Sequence, residues 1–258
     1  MNAEIKILKE FAPQEMILVV GLPGTAYIGK LSVDYLVQQL KAEIIAEIYS
    51  KHFPPYVIIK EDGLVELLRN ELHWFKDEEG RDIVFLTGNS QAFSPEGQFD
   101  VADMILDWAM SHGVKKVFSV AALVTDKPFD VPSVFFTATT PAMIEELKKF
   151  GMQPLDHGII GGENGLVIGL AKKKNIDAAC LLAETHGYQT STGEYLTDAK
   201  AAKAALNILN GILTLKINME PMDKQAAQMD ELLAKMGEIE GRVRHEMEQA
   251  GKKPSYVT

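Results

Sequence analysis

Met16-Ile17-Leu18-Val19-Val20-Gly21-Leu22-Pro23-Gly24-Thr25-Ala26-Tyr27-Ile28-Gly29-Lys30-Leu31 is a buried strand running through a glycine loop into a helix. An unbroken apolar run ending in glycine is the pattern of a strand covered on both faces, and Leu31, Tyr35, Leu36 and Leu40 follow at helical spacing. The stretch is therefore the first strand-loop-helix unit of an α/β domain. Ligands of such domains gather at the carboxyl ends of the strands, beside the helix N-terminus that the loop creates. Gly24 to Lys30 fits the phosphate-loop pattern G-x-x-x-x-G-K. That pattern next requires a hydroxyl for Mg²⁺, but Leu31 stands there, with Ser32 about 100° further round the helix. Ile83-Val84-Phe85-Leu86-Thr87 also lacks the aspartate that would hold the metal's second side. A nucleotide triphosphatase is thus disfavoured. The glycines have a structural use instead: Gly21 and Gly24 allow a tight turn, and Gly29 lets the helix lie close on the sheet.

With 258 residues, 47% of them hydrophobic, the chain can build one large α/β domain with appendages. No run of eighteen apolar residues and no charged-then-apolar leader at Met1 to Lys6 is present, so the expectation is a cytoplasmic protein without a membrane span. The single cysteine, Cys180, excludes an intramolecular disulfide, and its place in Ala178-Ala179-Cys180-Leu181-Leu182 reads as a small buried hydrophobe. A formal net charge of −10 repels phosphate backbones, which argues against nucleic acid as a partner.

Outward from the first unit, Ala42 to Ile48 reads as a strand, and Phe53-Pro54-Pro55-Tyr56 as an extended loop. Val57 to Lys60 and Leu64 to Leu68 flank Glu61-Asp62-Gly63, a hairpin signal that Leu72 to Lys76 is expected to extend. His52 and His73 lie apart without ligand spacing. Arg81 to Gly88 is a central strand, followed by a helix bearing Phe99, Ala102, Ile105, Leu106 and Ala109, with Gly113 as its stop. Val117 to Leu123 is another buried strand, and Val134 to Ala138 a further one. Thr140-Pro141 opens a helix that ends near Phe150-Gly151. A second glycine-rich stretch, Gly158 to Gly165, precedes an apolar helix, so two helix starts can face each other across one crevice. Ala178 to Ala183 then leads to Glu184-Thr185-His186, polar groups at a strand end. Alternation puts Glu184 and His186 on one side and Thr185 on the other. An alanine-rich helix capped by Asp198 is expected to stop at Asn210-Gly211.

Gly21-Leu22-Pro23-Gly24 with Gly29-Lys30-Leu31, then Leu86-Thr87-Gly88-Asn89-Ser90-Gln91, Gly162-Glu163-Asn164-Gly165-Leu166, Cys180 to Thr185, and Asp198 with Ala201-Ala202 occur in that order. This succession resembles the signatures of the archaeal proteasome assembly chaperone family of the second (PAC-two) type, over about residues 10–222. The resemblance implies an αβα sandwich with a mixed, mostly parallel sheet, similar in outline to nucleoside phosphorylases. It implies a homo-oligomer, expected here to hold three to five subunits, that in some members binds proteasome α-subunits, the α-ring or the 20S core. It implies no catalytic activity and no cofactor. The alternative is a small-molecule hydrolase or phosphorylase-like enzyme with a ligand in the crevice between the two glycine loops. Candidate ligand-binding residues there are Gly21, Gly24, Gly29, Lys30, Gly162, Asn164 and Glu184.

The expected organisation is a domain over 1–220, an amphipathic helix over 221–250 and a tail over 251–258. Met222, Ala226, Met229, Leu233, Met236, Val243 and Met247 recur at three- and four-residue steps, broken by Glu240. A core-packing helix and an interaction helix share this pattern; methionines at the seam suit a surface that adapts to a partner. Proteasome activators often end in hydrophobic-tyrosine-any residue. Here Tyr256-Val257-Thr258 places the ring one residue, about 3.3 Å, from that position. Met229, Leu233, Met236, Tyr256, Val257 and Thr258 are the candidate partner-binding residues.

Overall fold

The computed structural model describes residues 2–13, 15–190 and 192–251, with backbone alone at 237, 239–241 and 243–251. The chain divides into two compact units, Met1–Asn218 and Met219–Thr258. In the first, β1 (Ala3–Ile7) is followed by β2 (Met16–Val20), a 3-10 turn (Thr25–Tyr27), α1 (Ile28–Leu40) and β3 (Glu43–Ser50). A hairpin of β4 (Val57–Ile59) and β5 (Val65–Leu67) precedes β6 (Asn70–Lys76), β7 (Asp82–Gly88), α2 (Pro95–Ser111) and β8 (Val114–Val124). Then come β9 (Val134–Ala138), α3 (Pro141–Lys148), β10 (Gln153–Pro154), α4 (Gly162–Lys173), β11 (Asp177–Thr185) and α5 (Ala199–Leu213).

Among the described residues nine strands form one sheet, in the order β1-β3-β6-β7-β2-β8-β11-β9-β10. β7, β2, β8 and β11 are parallel at its centre, and antiparallel pairing begins at β6 on one side and β9 on the other. Central parallel strands are covered on both faces, and all seven residues of β7 are buried. Alternation along β2 sends Met16, Leu18 and Val20 into a core shared with Val101 and Ile105 of α2 and Val167 and Ala171 of α4. Val19 points the opposite way and is fully buried too, beneath the layer in which α1 packs on α5. The expected α/β sandwich is present, and its parallel part is β7, β2, β8 and β11; the first glycine loop follows β2, and the second lies between β10 and α4.

Helix starts follow their caps. Ser94 accepts Gly97 N–H at 3.1 Å, Thr140 accepts Met143 N–H at 3.3 Å, and Asp198 accepts Ala201 N–H at 2.9 Å. Two expectations need correction, and one strand was missed. α5 does not stop at Asn210-Gly211 but runs to Leu213, because burying Leu213 outweighs a glycine penalty of about 1 kcal/mol. β6 does not extend the hairpin; it pairs with β3 and β7 in the main sheet, where Leu72 is fully buried. β1 was not foreseen, although Ala3, Ile5 and Ile7 alternate with Glu4 and Lys6 at the period of a strand.

Among the described residues the second unit is one helix, α6 (Glu220–Gly251), 32 residues long. Glu220 and Asp223 in its first turn suit the positive end of the helix dipole, and Glu220 pairs with Lys224 at 2.8 Å one turn on. Its backbone continues through Gly237 and Gly241.

Candidate functional site

The glycine loop after β2 is shaped by close approach. A Cβ on Gly21 would overlap the Gly29 carbonyl and Val33, and one on Gly29 would overlap the Val120 carbonyl of β8. α1 therefore lies directly on the sheet, a contact that other side chains would prevent. Ala26 and Tyr27 both take φ of +53°, left-handed values that turn the chain into the helix. The Ala26 carbonyl accepts Asp198 N–H at 3.0 Å, so the α5 cap also holds this turn.

Three side chains fasten the loop to its neighbours. Asn164, buried in the first turn of α4, accepts Leu22 N–H at 3.0 Å and donates to the Leu22 carbonyl at 3.0 Å. Gln91, from the loop after β7, donates to the Pro23 carbonyl and accepts Glu163 N–H at 2.8 Å. Glu163 accepts Ala92 N–H with Oε1, while its buried Oε2 has no partner. Burial pushes the Glu163 carboxyl up to about 7, against the smaller opposing effect of the Ala92 N–H. Gln91 and Glu163 were not singled out as site residues from the sequence. The available signal was an acid and an amide opening an otherwise apolar helix, Gly162-Glu163-Asn164.

The two glycine-rich stretches do face one crevice of about 770 Å³ at the carboxyl end of the sheet. Gly24, Gly29, Gln91, Gly162 and Asn164 line it. Of the other sequence candidates, Gly21 is packed beneath the turn, and Lys30 and Glu184 lie off the lining. Lys30 pairs with Asp34 at 2.7 Å, and Asp34 in turn accepts the Thr87 hydroxyl at 2.5 Å. Glu184 accepts Ser133 N–H at 3.1 Å. Thr185 donates to Asp198 at 2.7 Å, and His186 stacks on Phe129 with ring centroids 4.3 Å apart. These three residues do not converge on one reacting point. Cys180 is fully buried and its thiol is pushed up to about 12 by that burial, far from a reactive thiolate. Among the described residues no group of three or more His, Cys, Asp or Glu is placed to hold a metal ion. Met229, Leu233 and Met236 fall on α6, but Met229 is buried, a correction to its reading as a contact surface, while Leu233 and Met236 are half-buried; Tyr256, Val257 and Thr258 lie outside the described residues.

The partly exposed Lys30–Asp34 pair makes a small contribution to stability. Lys30→Ala is expected to shift the unfolding free energy by no more than about 0.5 kcal/mol. Urea denaturation would check it, and a loss above about 2 kcal/mol would assign Lys30 a structural role beyond that pair.

The model of the PAC2 family matches residues 18–236. An uncharacterized protein of Methanocaldococcus jannaschii is 31% identical over 235 residues, covering 90% of this chain and 88% of its own length. The crystal structure of Pyrococcus furiosus PbaB, described as an archaeal proteasome activator, superposes with a TM-score of 0.83 at 32% identity, covering 92% of this chain and 99% of PbaB. That of Pyrococcus furiosus PbaA, described as an archaeal homolog of proteasome-assembly chaperone, gives 0.74 at 23% identity, covering 95% and 97%.

Proposed function

The chain belongs to the PAC2 family, and from that premise we propose that it is a non-enzymatic, homo-oligomeric adaptor or chaperone of the cytoplasm whose partner is the proteasome, bound through its α-subunits or α-ring. The observation that carries the choice of binding over catalysis is the use to which the crevice puts its polar side chains. Asn164, Gln91 and Glu163 spend their hydrogen bonds on the backbone of Leu22, Pro23 and Ala92, which builds a rigid end to the sheet. An acyl- or phosphoryl-transfer site would instead hold a nucleophile, a base and an orienting group within reach of one another. The choice of partner is supported by the relative described as a proteasome activator, which is similar over nearly the whole chain.

The surfaces we assign to the partner are Leu233 and Met236 of α6, which are half-buried, and Tyr256, Val257 and Thr258; Met229 is buried and is not among them. Methionine side chains adapt their shape to a partner, and several copies of a weak contact on one oligomer gain avidity. The test is capture of purified α-rings by the immobilised full chain and by a chain ending at Lys253. Retention by the full chain and reduced retention by the shortened one are expected. Failure of the full chain to retain α-rings at about 10 μM would overturn the reading. Equal retention by both chains would remove Tyr256, Val257 and Thr258 from the interface.

A further inference from the structure

β8 runs further than the strand beside it. Its pairing with β2 ends at Val20 and Ser119, whereas its pairing with β11 continues to Val124. Continued by two residues, the β2 register would give Leu22 N–H to the Val120 carbonyl and Ala122 N–H to the Leu22 carbonyl. Both groups of Leu22 are instead bound by the Asn164 side chain, and the ladder stops there. Two contacts fix which way the β8 backbone points. Thr125 N–H donates to the Thr185 carbonyl of β11 at 3.0 Å, and the Val120 carbonyl lies on the opposite side, against Gly29. Backbone groups alternate sides along a strand, so the N–H and C=O of Ala122 and Val124 also face away from β11. Among the described residues no strand pairs with that edge of β8 beyond Ser119.

The open edge lines the crevice. Ala121 to Val124 form one side of its 770 Å³, and burial along β8 falls from complete at Val120 to partial from Ala121 onward. We propose that this edge takes up an extended, uncharged peptide segment of another protein, which adds to β8 as a short strand. An open N–H and C=O on one residue is what a neighbouring strand engages: main-chain bonds supply the affinity of strand addition, and pockets for alternate side chains supply its selectivity. Leu155, Ile160 and Leu182 provide apolar walls for those side chains. Among the described residues no Asp, Glu, Lys or Arg lines the crevice, so a charged segment would lose its hydration without gaining a partner. The volume lies within the range of sites that enclose a small ligand. Asn164 and Gln91 already hold the first glycine loop in place, so binding has little of the groove left to order. Extended apolar segments are exposed by chains that are not yet folded or assembled, the class of partner a chaperone meets. The site uses none of the residues assigned to the α-ring, and either reading can fail without the other.

The probe is the peptide acetyl-Val-Thr-Val-Thr-Val-amide, titrated into the full chain by calorimetry. A dissociation constant below about 1 mM is expected. Bound peptide should slow amide exchange at Ala122 and Val124, while Ala121 and Leu123, whose N–H groups face β11, stay unchanged. The same peptide with its central amides N-methylated cannot complete the ladder and is expected to bind more weakly by about tenfold or more. Ala122→Pro removes the donor that faces the crevice, at an open edge where proline is tolerated, and should weaken binding of the unmethylated peptide to a similar extent. If that variant does not fold, the methylated peptide on the wild type decides. No binding at about 1 mM, equal binding of the methylated peptide, or slowed exchange only outside residues 120–124 would overturn the inference. Binding that appears only in a chain ending at Lys253 would overturn it too, because the edge would then belong to residues 254–258 of the chain itself.

Discussion

Gly29→Ala is expected to destabilise the protein by about 3 kcal/mol or more, while the same change at Gly169 is expected to stabilise it by about 0.5–1 kcal/mol. Both glycines lie in helices, α1 and α4, with φ outside the left-handed region, so alanine is the better helix former at each. Surroundings decide the sign. At Gly169 a Cβ would meet nothing within 4 Å. At Gly29 it would run into the carbonyl of Val120, a backbone atom of central strand β8, with Asn164 Nδ2 at 3.3 Å. A strand paired on both sides cannot retreat, so α1 must lift. Lifting α1 also pulls Leu22 away from Asn164 and leaves a buried amide short of its two bonds. Urea denaturation of both variants measures the contrast. Two stabilised proteins would show that α1 does not owe its position to Gly29.

That contrast also shows what could be read from the sequence. Gly29 was legible as a close-packing glycine because the phosphate-loop pattern failed at Leu31 and left packing as the use for it. The central strands were legible because burial on both faces writes continuous apolar runs, and the helix starts because Ser94, Thr140 and Asp198 are local signals. The end of α5 was not, since Asn210-Gly211 is a local stop and the burial of Leu213 that overrides it is tertiary. Strand order was hidden as well. β6 follows the hairpin in sequence and resembles it, but its pairing with β3 and β7 depends on where Leu72 finds a core. For the site, the sequence grouped the glycine loops, Asn164, Lys30 and Glu184 at one crevice; Gly24, Gly29, Gly162 and Asn164 line it, and Lys30 and Glu184 do not. A lysine on a helix is drawn to the nearest carboxylate, and Asp34 lies one turn on. Glu163 escaped notice because a carboxylate in a first helical turn is ordinarily exposed and unremarked.

Glu163 should give the protein a stability that falls as pH rises, the reverse of an ordinary salt-bridged acid. Its carboxyl ordinarily titrates at 4.5 and is pushed by burial up to about 7 in the folded chain. Between those values the folded protein holds a proton that the unfolded chain has released. The contribution is therefore intact below pH 4.5, declines as pH rises towards 7 and levels off above it, for a loss of about 3 kcal/mol. Glu163→Gln keeps an oxygen to accept Ala92 N–H and has no proton to lose, so its stability should be flatter than the wild type's by that amount across the window. Above pH 7 the wild type carries a buried charge whose Oε2 has no partner, and the variant is then expected to be the more stable of the two. Denaturation of both proteins from about pH 4 to pH 8 measures the difference directly. A constant gap at every pH would mean that Glu163 does not titrate in this range. A gap that opens with pH would tie the proton to the crevice, because the same carboxylate holds Ala92, and through its own N–H holds Gln91 and so Pro23. Charging Glu163 keeps its bond to Ala92 N–H but buries a charge whose Oε2 has no partner, so the end of the sheet becomes pH-sensitive in stability where the first glycine loop is anchored.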